Sequence, residues 1–213
     1  MNNFIEDYYK NGYAVIDDFL PIDIANKLEE LYFEENNKWD LEDQDYDEAY
    51  MDKSESTYGK FKTDSEYLPD SNESFTAKFW RSNNLESKVD EILIDHFKKN
   101  LKKYAKSEIN NYDMRCYKLD EGCHYRLHMD NPIGDMGFVY YVNKKWKWDW
   151  GWILHVAKDE FEEDFQPIFP KFNRVVFMNH TEFTLPHFIS QVAKYAKNPR
   201  FTLVTFVRRD ENV

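Results

Sequence analysis

Apolar positions recur with two different periods along this chain, and the period changes near residue 110. Before that point the spacing is helical. Phe4, Ile5, Tyr8 and Tyr9 predict a first helix that ends at Gly12, a residue suited to the left-handed position after a helix. The run "YAVIDDFL" reads as a short strand. Pro21 then suits the first turn of a second helix reaching about Phe33, with Ile24, Leu28 and Leu31 on one face. A third helix is expected from about Asn84 to Lys106, its stripe formed by Leu85, Val89, Ile92, Leu93, Phe97 and Leu101. Beyond it the period is two, which predicts strands near 112–119, 123–130, 136–143, 151–157, 172–179, 184–193 and 200–208. Helices followed by antiparallel strands point to an α+β chain whose β-sandwich or jelly-roll core is buttressed by N-terminal helices. Residues 36–75 fit neither period. They are acidic, with Ser, Asn and Tyr mixed in, and read as a mobile flap or substrate-facing insert. With no linker in view, 1–213 is expected to form one domain, with helical support to 110 and the jelly-roll core at 111–209.

Composition narrows the classes. Aromatic residues make up 18% of the chain, too many for a disordered segment. The net charge of −12 repels phosphate backbones, so nucleic acid is not an expected partner. The one basic cluster, Lys98, Lys99, Lys102, Lys103 and Lys106, falls on the third helix and reads as a solvated face. Cys116 and Cys123 form no CxxC pair and are too few for a disulfide framework. The N-terminus lacks the basic and apolar regions of a signal peptide, and no apolar run approaches the roughly 20 residues that span a bilayer. A reducing, cytoplasmic setting without a membrane partner is the expectation.

The chemistry concentrates in "EGCHYRLHMDNPIGD". On a strand, His128 and Asp130 point to one face. Two imidazoles and one carboxylate suit a ferrous ion with three positions left open, so this pair needs a distant histidine. His124 lies about 13 Å along the strand from His128, too far to share an ion. His96 is on a helix, and His155 reads as an ordinary strand residue. His187, in "TLPHFISQV", is the expected third ligand, with His180 as the fallback. Downstream, "RFTLVTFV" carries Arg200 and Thr202 on one face. An inward arginine needs an anion, which is either a structural Asp or Glu or the carboxylate of a ligand.

Taken in order, "YKLDEGCHYRLHMDNPIGD", "YYVNKKW", "GWILHV", "PKFNRVVFMNH", "PHFISQV" and "PRFTLVTF" resemble the double-stranded β-helix core of Fe(II)- and 2-oxoglutarate-dependent oxygenases, in the prolyl-hydroxylase-like branch. The resemblance covers roughly 112–208, and "NGYAVIDDFLP" is similar to the opening of such enzymes. It implies iron held by His128, Asp130 and His187, and 2-oxoglutarate bound by Arg200 with Tyr141, Tyr117 and Thr202. Tyr125 also matches the pattern, although strand alternation places it off the His128 face. Dioxygen is the implied second cosubstrate, with ascorbate as a supporting reductant. An Asp at 130, rather than a small residue, favours hydroxylation over halogenation. The chain departs from the pattern at Gly151-Trp152, where a Gly-Gly pair is usual, and in a longer gap from His187 to Arg200.

Trp146, Trp148, Trp150 and Trp152 alternate, so an extended segment places all four on one face. Trp148, Trp150 and Trp152 are candidates for the wall of a substrate mouth, stacking on a prolyl ring, a sugar or another flat group. The implied reaction is hydroxylation of an unactivated C–H bond, on a prolyl or similar residue of a protein or peptide. The alternatives are the same chemistry on a free amino acid or secondary-metabolite precursor, and a jelly-roll module that binds without catalysis.

Overall fold

The computed structural model describes residues 4–46, 75–104, 111–130, 135–158 and 165–208. Helix α1 (Phe4–Asn11) leads through Gly12, at φ 81°, into strand β1 (Tyr13–Ile16). Helix α2 (Ile22–Tyr32) starts directly after Pro21, and helix α3 (Asn83–Tyr104) follows after β2 (Asp40–Tyr46) and β3 (Phe75–Arg81). The remaining strands are β4 (Asn111–Leu119), β5 (His124–His128), β6 (Met136–Tyr141), β7 (Leu154–Val156), β8 (Gln166–Ile168), β9 (Arg174–Asn179), β10 (His187–Ile189) and β11 (Arg200–Arg208).

These strands form one antiparallel sheet in the order β1-β9-β6-β11-β4-β3-β5-β10-β7-β8, with β2 paired to β3. Alternation along the central strands explains how the sheet closes on itself. Phe138 and Tyr140 of β6, Phe177 of β9 and Phe201 and Leu203 of β11 pack on one side with Tyr8, Leu28, Tyr32, Leu85, Val89 and Leu93 of the three helices. The intervening residues Val139, Tyr141, Val176 and Met178 face inward and meet Leu154, Val156 and Ile168 from the far end of the strand order. The two ends of the sheet are therefore layered face to face, the jelly-roll arrangement. Each large apolar side chain buried on these faces contributes about 1.5–3 kcal/mol. The α3 stripe holds at Leu85, Val89 and Leu93; its expected continuation at Phe97 and Leu101 lies outside the described side chains.

The segment at 36–75 differs from expectation at both ends. Asp40–Tyr46 is an edge strand in full antiparallel register with Phe75–Arg81. "DLEDQDY" has little strand propensity, and its pairing comes from the aromatic partner strand. Residues 47–74, where a flap was expected, lie outside the described residues. Strand β8 was not expected either, being only three residues long and containing Pro167 on the sheet edge.

Helix α2 and its entry are fastened to the sheet by polar contacts that the apolar pattern does not show. Tyr32 Oη donates to the Thr202 carbonyl at 3.0 Å. Asn173, buried at φ 58°, accepts at Oδ1 from the Leu20 amide (2.9 Å) and Tyr140 Oη (3.0 Å), and its Nδ2 donates to the Leu20 carbonyl (2.9 Å). Asn is among the few non-glycine residues that adopt this backbone readily. Replacing Asn173 with Ala removes three buried hydrogen bonds and leaves their partners unsatisfied. The expected loss is about 3 kcal/mol, read as a fall of roughly 6–12 °C in Tm by calorimetry.

Candidate metal centre

Strand pairing brings the two histidines together. His187, the first residue of β10, is the direct antiparallel partner of His128, the last residue of β5. Asp130 follows two residues after His128, and one ligand atom from each of the three side chains lies within 4.8 Å of the others. Asp130 Oδ2 is 3.3 Å from His187 Nε2, and Oδ1 is 3.6 Å from His128 Nε2. Both rings are held from behind: His128 Nδ1 is 2.7 Å from the Arg126 carbonyl, and His187 Nδ1 is 2.8 Å from the Leu185 carbonyl. A carbonyl can only accept, so each Nδ1 carries the proton and each Nε2 lone pair points to the shared space. Leu185 holds its carbonyl there at a left-handed φ of 47°.

All three groups are buried, and burial tunes them unequally. It pushes the His128 imidazole down to about 4, aided by His187 nearby. Burial also works against the charge on His187, but Asp130 overrides it and raises that histidine. Asp130 is held well below the usual carboxylate range because the two histidines outweigh the cost of burying its charge. Two neutral nitrogen donors and one carboxylate are a donor set for a divalent first-row metal, with room for further ligands. His180, the fallback, is not part of the cluster. Its ring centroid is 6.4 Å from that of His187, and both its nitrogens are without hydrogen-bond partners.

A cavity of about 80 Å³ opens beside the cluster. Across the β4–β11–β6 ladder, Thr202 pairs directly with Tyr117 on one side and with Tyr141 on the other, so the three side chains share the inward face. Arg200, two residues earlier on that face, is fully buried. Its guanidinium lies 4.8 Å from the Tyr141 ring centroid and 5.3 Å from that of Trp146. Nη1 donates to Asn143 Oδ1 at 2.9 Å, while Nε and Nη2 have no partner. Burial pulls the group down to about 9, which still leaves it protonated at neutral pH. Of the two readings of Arg200, the structural carboxylate finds no counterpart among the described residues. Tyr141 Oη, Thr202 Oγ1 and Trp152 Nε1 are likewise buried and unsatisfied. Four inward polar groups without partners form a set that an anionic cosubstrate fits. The longer His187–Arg200 gap is absorbed in the turns at 190–199, and Arg200 still enters the interior as the first residue of β11.

Two expectations change. Tyr125 lines the cavity, its ring 5.7 Å from His128, because β5 carries an extra residue where it pairs with β10: His187 pairs with His128 but Ile189 with Tyr125. Bulges of this kind re-aim side chains next to sites. The tryptophans do not form a ladder. Trp148–Trp150 is a 3₁₀ turn, and Gly151 then adopts φ 77°, a conformation with no room for a side chain since a Cβ there would sit 2.0 Å from the Gln191 carbonyl oxygen. Trp152, at φ 57°, points into the cavity. Trp150 is buried edge-on against Trp146, and Trp148 stands 74% exposed in a different cleft. Neither lines the cavity beside His128. Sequence reasoning missed Phe79, Arg115 and Phe206 as cavity residues, although Arg115 shares the inward face two residues before Tyr117. His155 is accounted for by stacking on Phe188, with centroids 4.4 Å apart.

Fold and site together define a double-stranded β-helix protein with a buried His-Asp-His cluster suited to a metal ion. Residues 113–208 match the family model described as the 2OG-Fe(II) oxygenase superfamily. A search of curated proteins returns no match. Among solved structures, a Pseudomonas putida prolyl-4-hydroxylase is 15% identical with a TM-score of 0.52, covering 97% of each chain. A Trichoplax adhaerens prolyl hydroxylase, in complex with a hypoxia inducible factor oxygen degradation domain peptide fragment, is 15% identical with a TM-score of 0.54, covering 97% of this chain and 88% of that one. The non-heme alpha ketoglutarate dependent epimerase SnoN, from nogalamycin biosynthesis, is 12% identical with a TM-score of 0.57, covering 95% and 79%. Residues 113–208 thus carry the pattern of the 2OG-Fe(II) oxygenases, a dioxygenase type of enzyme, and the His128–Asp130–His187 cluster lies within them.

The metal centre is testable without turnover. His187→Ala and Asp130→Ala are each expected to lose stoichiometric Co(II) binding in titration calorimetry, whereas His180→Ala retains it. Loss in the His180 variant with retention in the His187 variant would reverse the ligand assignment.

Proposed function

We propose that this protein hydroxylates an unactivated C–H bond of a prolyl or similar residue in a peptide or protein, using Fe(II), 2-oxoglutarate and dioxygen. The supporting observation is the His128–Asp130–His187 cluster in a cavity also lined by Thr202, with Arg200 buried two residues before Thr202 on the same inward face and without a carboxylate partner among the described residues. When bound, the iron and cosubstrate supply the oxidising power: 2-oxoglutarate goes to succinate and CO2 as dioxygen is consumed and one oxygen atom is delivered to the substrate.

The chain's own residues do the positioning. His128, Asp130 and His187 hold the ion. Arg200 anchors the far carboxylate of the cosubstrate, with Tyr141 and Thr202 contributing hydroxyl groups. Asn143 keeps Arg200 in place by accepting from both its Nη1 and the Phe201 amide. Phe79, Tyr117, Tyr125, Trp152 and Phe206 make an aromatic wall that excludes water and offers ring faces to a flat, apolar substrate group. Phe79 stacks on Tyr125 at 4.9 Å and packs on Tyr117 at 4.7 Å, which stiffens that wall. The prolyl assignment draws on this wall and on the two prolyl hydroxylases of similar fold. The small-molecule reading is favoured by the narrowness of the cavity and by the similar fold of SnoN.

Succinate formation from 2-oxoglutarate with Fe(II) and dioxygen tests the chemistry. Proline-containing peptides compared with free amino acids separate the two substrate classes by which of them increases turnover. Absence of any iron-dependent succinate would overturn the assignment. Arg200→Met is expected to raise the KM for 2-oxoglutarate about 100-fold, since it removes one partner of a buried charge pair. Trp152→Ala is expected to raise the substrate KM while leaving that of 2-oxoglutarate unchanged.

A further inference from the structure

Outside the metal cavity a cleft of about 380 Å³ lies between the "NKKWKWDW" segment and the "FPKFNR" segment. Its walls are Trp146, Trp148, Phe169 and Phe172, and the cations facing it are Lys144, Lys147, Lys171 and Arg174; Asp18 is the only carboxylate lining it. Three of the cations are held from behind: Lys171 and Arg174 by Asp17, and Lys144 by Glu29. These pairs fix the positions of the cations and still leave N–H groups of each lysine available to a ligand. Lys147 has no carboxylate partner among the described residues, and its ammonium lies 5.6 Å from the Trp150 ring. Trp148 is the most exposed large apolar side chain described, at 74%, yet it leans on Phe169 with centroids 4.4 Å apart. A fixed, solvent-facing indole beside a free ammonium is the chemistry that receives a flat ring bearing a negative group.

The cleft also backs onto the cosubstrate pocket. Trp146 and Asn143 line it, and the same two residues hold Arg200, one by its ring face and the other by its amide oxygen. Tyr141 also packs on the guanidinium, with its ring centroid 4.8 Å away.

We propose that this cleft is a second ligand site, for a flat aromatic or heterocyclic anion, and that its occupancy is coupled through Trp146 and Asn143 to 2-oxoglutarate binding. The site stands on the cleft itself; the coupling rests on Arg200 as the cosubstrate anchor. By linkage, a ligand that changes 2-oxoglutarate affinity has its own affinity changed by the same factor.

AMP, adenosine and inorganic phosphate serve as probes, because they carry ring and anion together, ring alone and anion alone. Titration calorimetry on the full chain without iron or 2-oxoglutarate keeps this test independent of the oxygenase assignment. AMP is expected to bind saturably, more tightly than either fragment, and to lose at least about tenfold in affinity in Trp148→Ala and in Lys147→Gln. AMP failing to saturate below about 1 mM, or binding equally to both variants, would overturn the site. Binding of phosphate as tight as that of AMP would mark an adventitious ion only. With the site established, AMP at saturation is expected to shift the 2-oxoglutarate affinity of the Co(II)-loaded protein at least about fivefold. An unchanged value would overturn the coupling.

Discussion

The pairing of His128 with His187 across two short strands is the constraint on which the rest depends. Neither strand supplies a site alone. His128 and Asp130 lie at the end of β5, and His187 arrives from 57 residues further along the chain. The register between β5 and β10 sets the distance between their imidazoles. Backbone carbonyls of Arg126 and Leu185 then fix both rings in the same tautomer. The chain thus spends backbone geometry, including the left-handed Leu185, on aiming two lone pairs at one point.

Burial of this cluster also imposes an electrostatic condition. A lone carboxylate at this depth would be costly, and two imidazoles are what keep Asp130 charged. The same logic applies to Arg200, whose charge is tempered by two ring faces and one amide oxygen but matched by no carboxylate. Among the described residues the interior thus leaves two places without a full complement, the Asp130 cluster and Arg200. The donor set at the first suits a cation, and the unpartnered N–H groups at the second suit an anion. That complementarity bears on chemistry more directly than likeness to structures of 12–15% identity does.

What was legible in the sequence follows from how local each feature is. The change of period near residue 110 marks the passage from helices to strands, and Leu85, Val89 and Leu93 lie on the stripe that spacing predicts. His128 and Asp130 share a face because two residues separate them on an extended chain. The pairing of β2 with β3 was not legible, since an acidic edge strand gains its order from partner residues 29 to 41 positions away. Tyr125 was misplaced by strict alternation because a bulge is a property of two strands, not one. The choice of His187 over His180 drew on family resemblance as well as position, and the long-range register is what brings His187 beside His128 and Asp130, whereas His180 sits one residue past β9, in the turn.

The tryptophan run shows how a single backbone position redistributes a motif. Alternate spacing promises one aromatic face, and a continuous strand would have delivered it. Gly151 ends that possibility. Its positive φ, beside a carbonyl that leaves no room for a Cβ, reverses the chain after the 3₁₀ turn. The four indoles are thereby divided among three environments: Trp152 in the metal cavity, Trp150 in a buried contact, and Trp146 and Trp148 along the outer cleft. Trp146 has the widest consequence, because one of its faces covers Arg200 while its ring forms the cleft wall. Arg200 is then in contact with a ring that also walls the outer cleft, and the backbone constraint at Gly151 becomes part of how both keep their shape.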